Sequence, residues 1–371
     1  MFENEKISTL QFFILVFFFT IGNTIINAPS LITSQAKQDA WISSTLSLGF
    51  GLCLALLYCY LASKFPNKTI VQFSEIILGK IVGKIFSLFL ISYFLIIASL
   101  MIRQFGDFMT TIIMPETPSL AIHILFLSII VTGAYLGIET LGRSGEVILP
   151  TLFILLVVPF LFLLPEMDIN NLKPVYENGF NPIMRGTISH IGIPYLQLIV
   201  MLMIFPYVKD IKKAKKNFIL GVLVGGFILT TVILYSILSL GVILTEIKHY
   251  PPYFMAQKIS IGDIVERLEV LIAGTWFITI FFKTTILLYA INLGLSQVFN
   301  YKNSRPMIFG LSYLLLILTQ FITPNIIYFN DFFKNIIPPY GLTFGLFFPL
   351  LLLSIYLIRR KKMPTIASEN N

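Results

Sequence analysis

Ten blocks of predominantly apolar residues follow one another along the chain, over roughly 9–33, 41–63, 84–113, 119–138, 145–164, 184–206, 217–244, 266–298, 306–325 and 338–358. A helix needs about 20 such residues to cross a bilayer core. In lipid every backbone group must be satisfied internally, which only helices and closed barrels achieve. Barrel strands alternate apolar and polar positions, whereas these blocks are apolar throughout, so the pattern predicts an all-α membrane protein of about ten spans. The first block has no small-residue cleavage site after it and is read as a retained span rather than a signal peptide. The longest connections, 165–185 and 245–265, are too short for a separate soluble domain. Residues 1–371 are therefore expected to form one permease-like domain, with halves of roughly 9–164 and 184–325 and a final span at 338–358.

Composition supports this reading. The chain is 56% hydrophobic and only 12% charged, with a mean hydropathy of +0.87, against about 25% charged residues in ordinary soluble domains. The net charge of +8 does not indicate nucleic acid, because the excess sits in short loops between apolar blocks. There it sets membrane orientation. Of the 26 Lys and Arg, 17 fall on one side, including Lys6, Lys64, Lys68, Lys80, Lys84, the Lys209–Lys216 run, Lys302 and Arg359 to Lys362. Seven fall on the other side, and Arg103 and Lys283 lie inside spans. The richer side is expected in the cytoplasm, with both termini there. The Lys209–Lys216 run reads as an orientation signal, with contact to anionic lipid or a partner as the alternative. Cys53 and Cys59 diverge on one helix and are not expected to form a bridge. No metal-ligand cluster, nucleophile elbow or phosphate loop occurs in the sequence, so neither a cofactor nor enzymatic chemistry is expected.

Two spans look interrupted. The first contains Gly22, Asn23 and Thr24 followed by Asn27-Ala28-Pro29; the sixth contains Gly192-Ile193-Pro194-Tyr195-Leu196-Gln197 and closes with Pro206. Glycine, asparagine and proline so close together are costly in an apolar helix unless the break is used. The breaks occupy matching places in two halves of five, the layout of a five-plus-five inverted repeat that holds a solute between them. Three charged side chains deep within spans stand out, Arg103, Asp107 and Lys283. Arg103 and Asp107 are four residues apart and share a helix face, suited to a structural ion pair or to coupling. Lys283, followed by Thr284 and Thr285, is midway along the eighth span. It is either a functional cation standing in for a coupling ion or a side chain snorkelling to a water-filled cavity. The threonine hydroxyls could bind a cation or a ligand carboxylate, or bond back to their own helix. Tyr93 needs a hydroxyl partner in the third span, and His190 beside the break reads as a hydrogen-bonded structural residue.

Several stretches resemble the GerAB-type spore germination permeases, the B subunits of nutrient germinant receptors within the amino acid–polyamine–organocation superfamily. These are the break from Gly22 to Pro29, the pattern from Tyr93 through Arg103, Asp168-Ile169-Asn170-Asn171-Leu172-Lys173-Pro174-Val175, and Met203-Ile204-Phe205-Pro206. Glu266-Arg267-Leu268-Glu269 with Trp276 and Lys283, and the basic tail, also fit. The resemblance implies a five-plus-five fold and a pocket for an amino acid, a nucleoside or another small germinant. It implies that Gly22, Asn23, Thr24, Gly192, Pro194, Tyr195 and Gln197 frame that pocket. Tyr93 and Thr284 would line it, and Tyr340 and Phe344 would cap it. It further implies A-type and C-type receptor subunits as partners and the inner membrane of the spore as location. A cation- or proton-coupled secondary amino-acid transporter, with Lys283 or Asp107 in the coupling, is the competing expectation, because sensing and transport need the same broken-helix site.

Overall fold

The computed structural model describes residues 5–258, 267–301, 304–323 and 325–359. Glu266 at the start of the eighth span, the later part of the 245–265 connection, Lys302, position 324 of the ninth span and the tail from Arg360 to Lys362 lie outside the described residues.

The first crossing is split into α1 (Thr9–Ile21) and α2 (Thr24–Ala36), and α3 (Ala40–Lys64) returns. A short helix, α4 (Ile70–Leu78), precedes three long ones: α5 (Lys80–Phe108), α6 (Ser119–Leu136) and α7 (Ile138–Leu163). The sixth crossing begins as α8 (Phe180–Ile191) and continues as a 3₁₀ segment over Leu196–Met203. Then come α9 (Ile211–Ile247), short α10 (Pro251–Gln257), α11 (Glu269–Phe299), α12 (Met307–Phe321) and α13 (Ile326–Asn335). The last crossing comprises α14 (Ile337–Leu342), a π-helical turn and α15 (Phe348–Arg359). Eight stretches are long and apolar enough to cross a membrane, one of them joining α2 to α3; the shorter apolar helices α1 and α12 complete ten crossings. Because five crossings precede the sixth, it enters from the face opposite to the first. The two halves therefore run through the membrane in opposite senses, each opening on an interrupted crossing, as an inverted repeat requires.

The expected spans match these helices to within a few residues except at two starts: α7 begins at Ile138 rather than 145, and α9 begins at Ile211 rather than 217. The Lys209–Lys216 run is mostly the first turns of α9. Asp210 caps it, accepting from the backbone N–H groups of Lys212 and Lys213 at 3.0 and 3.1 Å. Those bonds, that to Lys213 foremost, hold the exposed Asp210 carboxyl below its ordinary range. The run extends a helix past the apolar block, and a hydropathy pattern does not register such an extension.

The interior holds one large apolar core, with a smaller separate cluster where α2 and the start of α3 meet α9 at Ile233 and Ile237. The split first crossing packs on α9, and glycines allow the close approach: a Cβ on Gly221 would lie 2.9 Å from Val16, and one on Gly225 would lie 2.8 Å from Thr20. Gly225→Leu should cost about 1–3 kcal/mol of stability by overpacking. Gly310→Leu, where nothing lies within 4 Å, should change it by less than about 0.5 kcal/mol. Thermal unfolding of the detergent-purified variants checks this; equal midpoints for the two would remove the packing argument.

At the lysine-rich face, the segment before α1 ties onto the end of the sixth crossing. Ile7 N–H donates to the Tyr207 carbonyl (2.9 Å), and Lys209 N–H donates to the Ile7 carbonyl (3.1 Å). The same segment reaches α7, where the Glu5 carboxylate accepts from the Ile138 N–H at 2.8 Å. The two interrupted crossings are thus held together beyond their breaks.

Candidate functional site

In the first crossing the break is one residue pair wide. Gly22 has φ +34° and ψ −129°, a backbone that side chains rarely adopt, and its N–H closes α1 onto the Phe18 carbonyl. Asn23 begins α2 but makes no capping bond with its side chain, although asparagine at this position usually accepts from the first turn. The amide is instead used across the bundle. Its Nδ2 donates to Gln104 Oε1 of α5 at 3.1 Å, and its Oδ1 accepts from Lys283 Nζ of α11 at 3.0 Å.

The second break is longer. After Ile191 the chain turns through Gly192, Ile193, Pro194 and Tyr195, then runs as eight residues of 3₁₀ helix. Such runs rarely exceed three or four residues and often mark a functional hinge. The Ile193 carbonyl freed by this turn lies 3.4 Å from Lys283 Nζ. The Phe19 ring lies under the same ammonium at 4.9 Å, and the Thr279 hydroxyl reaches the Gly22 carbonyl at 3.0 Å. Lys283, Asn23, Thr279 and Gln104 are all buried. Four crossings therefore meet in one polar centre, and the two breaks are bridged by a single lysine.

The other expected residues fall into separate groups. Tyr93 stacks on Phe344 (5.1 Å) and meets Tyr340 edge-on (5.2 Å), forming an aromatic cluster between the third and tenth crossings. The tenth crossing also presses on the second break: a Cβ on Gly192 would lie 3.1 Å from Pro338. The Tyr58 hydroxyl donates to the Gly345 carbonyl at 2.5 Å, and Gly345 lies against Leu196. Tyr195 points towards α3 and α9, with its ring against Gly51 and its hydroxyl against Gly226. The Thr284 hydroxyl donates to its own helix at Ile280 (2.8 Å). His190 Nδ1 pairs with the Ser47 hydroxyl at 2.6 Å. The Tyr93 hydroxyl, Thr24 Oγ1, Gln197 Oε1 and Gln104 Nε2 are buried with no hydrogen-bond partner among the described residues. Such groups are costly to leave unmet in a low-dielectric interior. Gln104, Thr279 and Phe19 were not anticipated; the only sign of Gln104 was its place beside Arg103.

Arg103 and Asp107 do pair: Arg103 Nε donates to Asp107 Oδ2 at 3.0 Å and lies 2.9 Å from Oδ1. Asp107 and Gln104 also line a cavity of about 190 Å³ towards the face opposite the lysine-rich loops, together with Asn27, Ser30, Tyr250 and Phe333. Gln104 is thus shared between the cavity and the polar centre. A larger space of about 1140 Å³ lies at the lysine-rich face, lined among others by Lys6, Lys68, Lys80 and Gln297.

Comparison with known proteins gives this geometry its context. The profile of the spore germination protein family, a family of spore permeases, matches residues 6–327. The chain belongs to that family. Spore germination protein KB of Bacillus subtilis (strain 168) is 29% identical over 364 residues, covering 97% of each chain. Spore germination protein YndE of the same organism is 27% identical over 319 residues, 85% of this chain and 87% of the relative. The fold is shared with two solved structures. Mhp1, a nucleobase-cation-symport-1 family transporter in a closed conformation with bromovinylhydantoin bound, superposes with a TM-score of 0.67 at 12% identity. That match covers 99% of this chain and 96% of Mhp1. MhsT in complex with L-phenylalanine gives a TM-score of 0.62 at 14% identity, over 95% and 99% of the two chains. The family and fold are those of permeases and transporters. The chain is a multi-pass membrane protein of the spore germination system, a receptor subunit built on a transporter-like fold.

Proposed function

We propose that the chain senses a small germinant at the polar centre between its two helix breaks and passes the occupancy on by shifting between two states of the transporter-like fold. One observation carries this reading. The breaks converge on Asn23, Gln104 and Lys283, and Gln104, whose buried amide is left unmet, also lines a cavity of about 190 Å³. An amino acid or a nucleoside is the proposed ligand. The N-terminus of α2 at Asn23 is the positive end of a helix dipole and suits a carboxylate, and the unmet Gln104 amide offers it a further donor. The Tyr93, Tyr340 and Phe344 cluster would wall the site towards the tenth crossing. The ligand shifts the equilibrium only by its difference in affinity for the two states. In this reading both termini face the cytoplasm of the spore, the protein resides in the inner spore membrane, and it works with A-type and C-type receptor subunits.

The runner-up is a secondary transporter driven by a proton or cation gradient. The likeness to Mhp1 and MhsT favours it, since both carry a bound small molecule on the same fold. The test uses purified protein in nanodiscs against a panel of amino acids and nucleosides. A true ligand at 100 times its Kd should stabilise the fold by about 2.7 kcal/mol, and Asn23→Ala should remove that effect. Proteoliposomes of the same protein should not accumulate the radiolabelled ligand under a proton or sodium gradient. Accumulation would move the assignment to transport, and a panel with no stabilising member would remove the site.

A further inference from the structure

The Lys283 ammonium is held by both helix breaks at once. Its Nζ lies 3.0 Å from Asn23 Oδ1 in the first break and 3.4 Å from the Ile193 carbonyl in the second, with the face of Phe19 at 4.9 Å. An ammonium carries three N–H donors and no acceptor. Two oxygens and one aromatic face are what it meets. Asn23 turns its NH₂ away from the lysine onto Gln104, which leaves its oxygen facing the ammonium. Among the described residues no carboxylate pairs with Lys283. The side chain is fully buried, and the groups that meet its nitrogen are all neutral.

Those groups have the chemistry of a cation site. Neutral oxygens suit hard cations, and aromatic faces attract any monovalent cation. Two helix ends have the matching sign: α1 ends at Gly22 and α8 ends at Gly192, so two negative ends meet at the centre, offset in part by the positive N-terminus of α2 at Asn23. In transporters with broken helices, unwound carbonyls and half-helix C-termini are where free cations bind.

We propose that the two breaks form a monovalent-cation site and that the Lys283 ammonium is its tethered occupant, joining the breaks without free sodium or potassium. The centre is closed by a cation the chain always carries, so its closure is insensitive to the cations around it. Cutting the tether opens the site to a free cation. Lys283→Ala removes three carbons and the nitrogen beyond Cβ, the dimensions of n-propylammonium. The proposal does not depend on which germinant binds, or on whether one binds, and its test contains none.

The experiment follows thermal unfolding of the full-length protein in detergent, in choline chloride with lithium, sodium, potassium or n-propylammonium chloride substituted at constant ionic strength. The wild-type Tm should be the same in every salt. Lys283→Ala should unfold about 5–10 °C lower and recover at least half of that loss, saturably, in n-propylammonium. Lys283→Met, which fills the space without charge, should unfold lower and stay unresponsive. Asn23→Asp tests the charge without opening a cavity: Gln104 has an unmet Nε2 that can turn to the new carboxylate. Beside Lys283 this change should hold or raise the Tm; combined with Lys283→Met it should lower it further. A wild-type Tm that rises specifically with sodium or potassium would overturn the proposal. So would a Lys283→Ala protein indifferent to n-propylammonium, or an Asn23→Asp change equally destabilising with and without the lysine.

Discussion

Gly22→Val should lower by roughly 100-fold the nutrient sensitivity of spores in which this chain is the only subunit of its kind. Two effects combine at that position. The backbone at φ +34° is one that β-branched residues strongly resist, and such strain costs about 1–3 kcal/mol. A Cβ there would also lie 2.2 Å from Lys283 Cδ and 2.9 Å from the Phe19 carbonyl. The lysine tail is the flexible partner, but its far end is fixed by Asn23 and Ile193, so it cannot withdraw without releasing the second break. A loss of about 3 kcal/mol from the ligand-competent state corresponds to a sensitivity lower by roughly 100-fold. The germination rate as a function of nutrient concentration, measured with the abundance of the subunit in spore membranes, checks this. Gly49→Ala, where a Cβ meets nothing within 4 Å, is the matched control and should leave the rate unchanged. A Gly22→Val strain with normal abundance and a normal dose response would eliminate the centre as the sensing site.

Much of this centre was legible in the sequence, and the boundary of legibility has a physical cause. Breaks announce themselves locally: Gly22, Asn23 and Pro29 lie within eight residues of one another, and Gly192 and Pro194 within three. Hydropathy locates crossings because each apolar block answers to the same bilayer thickness. Partners are another matter. Asn23 meets Gln104 at 81 positions' separation and Lys283 at 260, and no local pattern encodes such distances. Lys283 stood out because a charge inside an apolar block is rare, whereas Gln104 was overshadowed by Arg103 next to it. Side-chain direction was also invisible. Tyr195 sits in the break yet faces α3 and α9, and Thr284 bonds to its own helix rather than across the bundle. The short helices α4, α10 and α13 escaped notice because seven to ten residues give too little periodicity to separate a helix from a polar connection.

Removing one partner of the buried Arg103–Asp107 pair should be the most destabilising single change among the charged residues. The two side chains are 11% and 10% exposed, and the pair is four residues apart on α5. Deleting one member leaves an uncompensated charge, which costs about 3–5 kcal/mol in a buried site, whereas replacing both by apolar residues of similar volume is often neutral or stabilising. Asp107→Leu and Arg103→Met should therefore each lower the unfolding midpoint sharply and reduce the protein's abundance in the membrane. The double variant should recover to within about 1 kcal/mol of the parent, giving a coupling energy well outside additivity. The same cycle decides what the pair is for. Asp107 lines the cavity that leads to Gln104, so a carboxylate needed for the response would leave the double variant folded, abundant and unresponsive. Its other oxygen contacts argue for structure: both carboxylate oxygens are engaged by Arg103 Nε, and its backbone carbonyl accepts from the Thr111 hydroxyl at 2.6 Å. The expected outcome is a double variant that is stable and still responsive. That result would assign the pair to holding α5 in register beside the first break, and would leave Lys283 as the charge at the centre of the sensing site.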